Sequence, residues 1–293
     1  VYTATGPHSG SISRDGALLV YDGLEPITDN SNTTDLVIDL SEFSDTATLS
    51  ESGGMLTVSD TDPFGIFTFE NPTFSKPSAS LTINLGASND NLVPDPDEPL
   101  PFLSRDTLTI SGAVDLGGAD LIVDGQDGKD EVTVSGSLTA ANVTVNAELI
   151  TVSGTITAAG NVVLNADDED DGAVVPDDGS APAFLSDFEG IFVALPEARV
   201  DLTGGTITAT GDVTLTADAV ANVTTAPSTI VDSIDTSVVV VLPNANITLD
   251  NTTLSAENLS ATATVNATVT FEDQADGDDD EETQDAAVTA VVL

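Results

Sequence analysis

The sequence predicts an all-β protein, a β-solenoid (parallel β-helix) with insertions, and three observations support this fold class. One phrase recurs: Gly154–Ala166 returns nearly unchanged as Gly205–Ala217, and looser copies occupy 136–147 and 251–263. Within each copy apolar and polar residues alternate, which is the period of a β-strand. Each copy is too short to bury its own apolar face, so it must stack on the next copy.

The first 93 residues predict a β-rich N-terminal region made of short strands that turn residues separate. The expected strands are 17–21, 35–40, 46–49, 55–58, 66–69 and 80–85. Their spacing of roughly ten residues fits either a separate sandwich or the first coils of the solenoid. Both alternatives stay open at this point.

A boundary is expected at 94–101, where four of eight residues are proline. Proline lacks a backbone donor and has a fixed φ, so a β-ladder does not run through such a Pro/Asp linker. The remaining segment, 102–293, is predicted to be the solenoid. It carries acidic insertions near 167–199 and 219–244 and a third acidic run at 276–285.

The strands of the solenoid are expected to begin at a second phrase, which ends in glycine. Its copies are 108–112, 132–136, 150–154 and 200–204, and the glycines of the second and third copies are 18 residues apart. Alternation then predicts which residues face the core. Stacked inward positions are expected for Ile156 with Ile207, Val162 with Val213 and Leu164 with Leu215, whereas Thr155, Thr157, Thr206 and Thr208 should face outward.

The charge balance limits the choice of partners. Fifty acidic residues face five basic ones, which gives a formal net charge of −45. Nucleic acid and anionic membranes require basic patches, so neither is an expected partner. No stretch approaches the length that spans a membrane, so membrane insertion is not expected either. Such a charge favours a saline setting or neutralising cations, and the lysine-poor, cysteine-free composition suits a secreted or cell-surface protein.

The recurring phrases resemble the β-helical repeats of filamentous-haemagglutinin-like adhesins and of giant bacterial surface proteins. Two stretches, 80–90 and 124–130, also resemble degenerate calcium coils of the repeats-in-toxin type. The resemblance implies a secreted, surface-associated, non-catalytic module. It further implies calcium ligands at Asp127 and Asp130, with Val132 as the apolar residue that follows them.

A second candidate calcium site depends on spacing alone. Asp167, Glu169 and Asp171 stand at positions 1, 3 and 5 of a loop with Gly172 at position 6, and Asp178 falls at position 12. A twelve-residue calcium loop arranges its oxygen ligands in this way, and the glycine makes the sharp turn. A solvated acidic loop is the alternative. Calcium is therefore the candidate cofactor.

Catalysis is not expected. His8 is the only histidine, lies in a turn-like stretch near the start of the chain, and has no cysteine to act with. Paired carboxylates could cleave glycosides, yet only 4% of the residues are aromatic and none is tryptophan. A carbohydrate-active β-helix enzyme is therefore the least favoured interpretation.

The favoured hypothesis is a non-catalytic extracellular structural or adhesive module, either a segment of a surface protein or the subunit of a filament. Strand-like residues at both ends, 1–5 and 286–293, predict self-association or completion by neighbouring modules of the same chain. A surface glycan or protein is the other expected partner. The alternative is a calcium-stabilised module that binds a carbohydrate or a protein.

Overall fold

A computed structural model describes residues 1–6, 8–23, 27–41, 44–61, 68–86, 105–126, 128–170, 173–175, 191–194, 196–225, 238–271 and 289–292. Within these ranges the protein is all-β, and none of the described residues is helical. The predicted linker at 94–101 lies outside them, and so does the acidic run at 276–285.

Twenty-eight strands form the described part of the chain. The first nine are β1 (Tyr2–Gly6), β2 (Ser9–Arg14), β3 (Ala17–Asp22), β4 (Thr28–Asp29), β5 (Asp35–Asp39), β6 (Thr46–Ser52), β7 (Met55–Asp60), β8 (Thr73–Ser75) and β9 (Ser80–Asn84). The next nine are β10 (Arg105–Ile110), β11 (Ala113–Asp115), β12 (Asp120–Asp124), β13 (Lys129–Val134), β14 (Ser137–Ala140), β15 (Val143–Asn146), β16 (Leu149–Val152), β17 (Thr155–Ala158) and β18 (Val162–Asp170). The last ten are β19 (Ala173–Val175), β20 (Ile191–Ala194), β21 (Glu197–Thr203), β22 (Thr206–Ala209), β23 (Val213–Thr225), β24 (Val238–Val241), β25 (Asn244–Asp250), β26 (Thr253–Ser255), β27 (Leu259–Phe271) and β28 (Thr289–Val292).

The strands form four sheets. Sheet A has ten strands in the order β27-β23-β18-β15-β12-β9-β5-β1-β2-β3, and sheet B has nine in the order β25-β21-β16-β13-β10-β6-β7-β8-β4. Sheet C is β11-β14-β17-β22-β26, and sheet D is β19-β20-β24-β28. From β10 onward the chain visits sheets B, C and A in that order, five times, and every pairing within these five passes is parallel.

The predicted inward positions are confirmed. Ile156 pairs with Ile207, Val162 with Val213 and Leu164 with Leu215, and all six side chains are completely buried. The threonines between them are exposed or half-buried on the outer face. The sequence predicts this register because a shift of one residue would turn the apolar set toward solvent.

The beginning of the chain contains antiparallel strands. The hairpins β1-β2-β3 and β6-β7-β8 occupy one end of sheets A and B, and β1 and β6 join them to the parallel strands β5 and β10. Residues 87–104 lie outside the described ranges, but strands on both sides of this gap belong to the same two sheets. In sheet A β9 pairs with β12, and in sheet B β6 pairs with β10. The expected strands at 17–21, 35–40, 46–49, 55–58 and 80–85 match β3, β5, β6, β7 and β9. Half of the one expected at 66–69 lies outside the described residues, and its other half is not in a strand.

Two corners of each pass are built from short residues. Between sheets B and C, a Cβ added to Gly154 would lie 1.9 Å from the carbonyl oxygen of Gly136, so successive backbones stack directly on one another. Between sheets C and A, polar side chains form a ladder along the stack. Asn142 Oδ1 accepts from Asn161 N–H at 2.8 Å, and Asn161 Oδ1 accepts from Asp212 N–H at 2.9 Å. The glycine corners let the backbones of successive passes approach closely. The asparagine side chains give backbone N–H groups at the other corner an acceptor.

Candidate functional site

Of the four calcium ligands that the spacing predicts, the structure describes two. Asp167 and Glu169 lie in strand β18 and pair with Asp218 and Val220 of β23, and Asp167 is exposed. Asp171 and Asp178 lie outside the described residues. The assignment of calcium to these four carboxylates stays a prediction.

Of the two calcium ligands that the resemblance implies, the structure describes one. Asp127 lies outside the described residues, whereas Asp130 is in strand β13 and is completely buried. Its carboxylate packs on the backbone of Gly125, where an added Cβ would lie 2.4 Å from Oδ2. Among the described residues, no group of three or more His, Cys, Asp or Glu side chains is arranged to hold a metal ion.

The assignment of Asp127 and Asp130 to calcium stays a prediction. In the structure Asp130 belongs to a buried carboxylate column, which consists of Asp45, Asp106, Asp130 and Glu148. Asp106 pairs directly with Asp130, and the registers of the adjoining pairs place Asp45 before them and Glu148 after them, one strand further each time. The three aspartates are 0% exposed and Glu148 is 8% exposed. Neighbouring parallel strands are about 4.8 Å apart, so four acidic side chains follow one another along the start of sheet B.

Some of these carboxylates hydrogen bond to the backbone of the preceding pass. Asp106 Oδ1 accepts from the Asp45 N–H at 2.5 Å, and Glu148 Oε2 accepts from the Asp130 N–H at 2.5 Å. An acidic side chain in the column therefore satisfies a backbone donor of the preceding pass at the point where a strand begins. A related bond links sheets A and B, where Asp168 Oδ2 of β18 accepts from the Glu197 N–H of the next pass at 2.6 Å.

Asp45 is the best-defined member of the column. Its carboxylate accepts from Ser41 N–H at 2.7 Å, from Ser41 Oγ at 2.9 Å and from Thr68 Oγ1. Burial raises the pKa of Asp45 from 3.8 to about 6, and the nearby charge of Asp60 adds to the rise, while the Thr68 and Ser41 hydrogen bonds oppose it. The buried site therefore favours the protonated acid.

This shift predicts a stability that falls as the pH rises. The folded state keeps a proton on Asp45 that the unfolded chain releases near pH 4, so the stabilisation is complete below that pH and is lost as the pH passes 6. The expected loss is roughly 3 kcal/mol in the free energy of unfolding. Asp45→Asn should flatten this part of the profile, measured by urea unfolding between pH 4 and 7. Asp15→Asn is the control, because it removes one charge from a side chain that is 95% exposed and should keep the slope. An equal slope in both variants would contradict the role of Asp45.

Sequence reasoning did not find this column, although a signal was present. An acidic residue stands six positions before the phrase glycine in three copies: Asp106 before Gly112, Asp130 before Gly136 and Glu148 before Gly154. The fourth copy has Ala198 there, and Ala198 is completely buried. Acidic residues are mostly exposed, so a single sequence gives no reason to place them in a core until the copies are aligned.

The two ends of the stack form a second feature. Eight large apolar side chains in the described part of the chain are exposed, four within 1–20 and four within 242–265: Val1, Leu18, Leu19, Val20, Leu242, Leu249, Leu259 and Val265. At the C-terminal end Leu249 is 48% exposed, although it pairs with Leu202, which is 0% exposed. Leu259 is 53% exposed and pairs with Val213, also fully buried. The last pass therefore presents core positions that no further described strand covers.

Searches of family models, curated proteins and solved structures found no match to this chain. No helix long and apolar enough to cross a membrane occurs in the ranges that the structure describes. The single histidine has a structural contact, since His8 Nδ1 lies 3.1 Å from Glu70 Oε2 at the N-terminal end. The geometry of the stack and of its ends is accordingly the basis for a functional assignment.

Proposed function

We propose that this chain is a β-solenoid that serves as a non-catalytic structural or adhesive module outside the cell, and that its C-terminal end is completed by a second copy or by a following module. Five parallel passes through sheets B, C and A, stacked in register, support the solenoid interpretation. The charge of −45 and the resemblance to repeats of bacterial surface proteins support the extracellular setting.

One observation carries the assembly part of the proposal. Strands β25, β26 and β27 are the edges of sheets B, C and A, and they lie at the same end of the stack. Edge strands expose backbone donors and acceptors, and here they also expose apolar core positions. Another pass with the same alternation would satisfy both the backbone groups and the apolar side chains.

A head-to-tail arrangement fits the two exposed ends. Sheet A has β27 at one edge and β3 at the other, and Leu18 and Val20 of β3 are 68% and 72% exposed. A contact between two different ends of identical copies does not close on itself and generates a filament. The negative charge of each copy opposes this contact, so salt should promote it.

We expect the protein to associate end to end at high salt, with a sedimentation coefficient that rises with protein concentration. Leu249→Lys together with Leu259→Lys should abolish this association, because the charges would occupy the apolar end. Thr248→Lys together with Ser260→Lys is the matched control, since it makes the same charge change on the neighbouring residues and should still associate. A wild-type protein that stays monomeric at all concentrations, or a leucine variant that associates like the control, would overturn the filament version and leave a self-contained surface domain.

A further inference from the structure

The outer face of sheet C carries an array of hydroxyl groups. Strands β14, β17, β22 and β26 pair in strict parallel register, and each contributes two outward residues, of which every one is serine or threonine. One row is Ser137, Thr155, Thr206 and Thr253, and the other is Thr139, Thr157, Thr208 and Ser255. No hydrogen bond joins any of these eight hydroxyls to another described residue.

The array is regular in two directions. Neighbouring strands are about 4.8 Å apart, and alternate residues along a strand are about 6.7 Å apart. The three pairings show no shift of register, so both rows continue across the four strands without a bulge. The inward residues of the same strands, such as Leu138, Ile156 and Ile207, are completely buried and fix the strands to the core. The face is therefore both periodic and rigid.

The array is also free of charge, in contrast to sheet B. The outer face of sheet B carries ion pairs such as Arg105 with Glu131 at 3.0 Å and Arg199 with Glu197 at 3.4 Å. On sheet C the charged outward residue is Asp115, which lies in the first strand, beyond the array, 3.9 Å from Lys76 Nζ. In a chain with 50 acidic residues, the hydroxyl face of sheet C is therefore neutral across four strands.

The flanks of the face consist of small residues. Each of the strands β14, β17 and β22 follows directly on a glycine: Gly136, Gly154 and Gly205. A Cβ on any of them would lie within 2.6 Å of the backbone of the preceding pass. On the other flank the strands end in alanine, at Ala140, Ala158 and Ala209, all buried. These glycine and alanine positions therefore add no large side chain directly beside the hydroxyls.

We infer that this face binds the surface of ice, through ordered water held on the hydroxyl array. Six of the eight residues are threonine, and each threonine offers both a methyl group that excludes disordered water and a hydroxyl that anchors a lattice molecule. Water molecules on the prism face of hexagonal ice repeat along one axis at a distance close to the spacing of neighbouring strands. Sugar rings are a poorer fit, because their recognition uses aromatic faces and long polar side chains, and this face has neither. The inference does not depend on how the ends of the stack are filled.

The test is an ice-recrystallisation assay together with the shape of single ice crystals grown in the protein solution. Wild-type protein should inhibit recrystallisation and facet the crystals. Thr157→Tyr with Thr208→Tyr should abolish both effects, since two bulky rings in the middle of the array keep the other hydroxyls from the lattice. Thr133→Tyr with Thr151→Tyr is the control: these two residues form the equivalent in-register outward pair on sheet B and should leave the activity unchanged.

Unfolding curves of both double variants establish that they fold. If the sheet C tyrosine variant does not fold, Thr157→Ala with Thr208→Ala replaces it, and a several-fold weaker inhibition is expected. A wild-type protein without any effect on ice would overturn the inference, as would equal losses in the sheet B and sheet C variants. Retention on microcrystalline cellulose without an effect on ice would overturn it too and assign the face to a neutral polysaccharide. None of these results changes the sedimentation test of end-to-end association.

Discussion

Leu215→Asp is expected to unfold the second half of the stack. Leu215 is completely buried in strand β23, where it pairs with Leu164 of the preceding pass and Ala261 of the following one. The substitution removes a large apolar side chain and buries a carboxylate among aliphatic neighbours, which together cost more than about 5 kcal/mol. Each pass depends on its neighbours for burial, so the loss should spread to β18 and β27.

Thr214→Asp is the control for this variant. Thr214 is the preceding residue of the same strand, is half-buried on the outer face, and receives the same new charge. Chemical unfolding followed by circular dichroism should show a small change for Thr214→Asp and the loss of a cooperative transition for Leu215→Asp. Similar curves for the two variants would contradict the inward and outward assignments.

Gly154→Ala is expected to destabilise the protein by about 3 kcal/mol or more, although it adds a single methyl group. The new Cβ would lie 1.9 Å from the carbonyl oxygen of Gly136 and 2.8 Å from the carbonyl carbon of Ser135. These are backbone atoms, so relief requires two passes to separate at the corner between sheets B and C.

Gly204→Ala separates this steric effect from ordinary glycine strain. Gly204 has a φ of 69°, and an added Cβ would meet no atom within 4 Å. Its replacement should cost only about 1 kcal/mol, the usual cost of a left-handed conformation for alanine. Equal free energies of unfolding for the two alanine variants would show that the corners are not closely stacked.

The five parallel passes were predictable because their copies repeat both the pattern and the corners. Glycine at the corner and alternation after it are enough to align Ile156 with Ile207 and Leu164 with Leu215, and these pairs are confirmed. The hairpins at the beginning of the chain were less accessible. Strands β1, β2 and β3 carry no repeated phrase, so their alternation predicted strands but did not distinguish antiparallel hairpins from the first parallel coils.

The insertions show a further limit of the sequence analysis. Strand β18 continues to Asp170 and strand β23 to Thr225, so both run into segments that were expected to be insertions, 167–199 and 219–244. Strand β23 pairs along its whole length with β27. Burial of Ala217, Ala219 and Ala221 explains the extension, because small residues alternate there as regularly as valine and leucine do elsewhere. Alanine alternation is a weak signal in a chain rich in alanine. In β18 the acidic run 167–170 indicated a solvated loop instead of a strand. The buried carboxylate column was missed for the related reason that a carboxylate is normally assigned to the surface.

Formation of a disulfide between strands tests the stacked register most directly, since the chain has no cysteine of its own. Thr157 and Thr208 pair in register on neighbouring strands although an insertion separates them in the sequence. Their Cα atoms should be about 4.8 Å apart, within the range that a disulfide spans. Thr157→Cys with Thr208→Cys should therefore form an intramolecular disulfide under mild oxidation, which mass spectrometry would detect. Thr157→Cys with Thr206→Cys, offset by two residues and about 8 Å apart, should not. Efficient bonding in the offset pair, or none in the paired one, would contradict the in-register parallel stack.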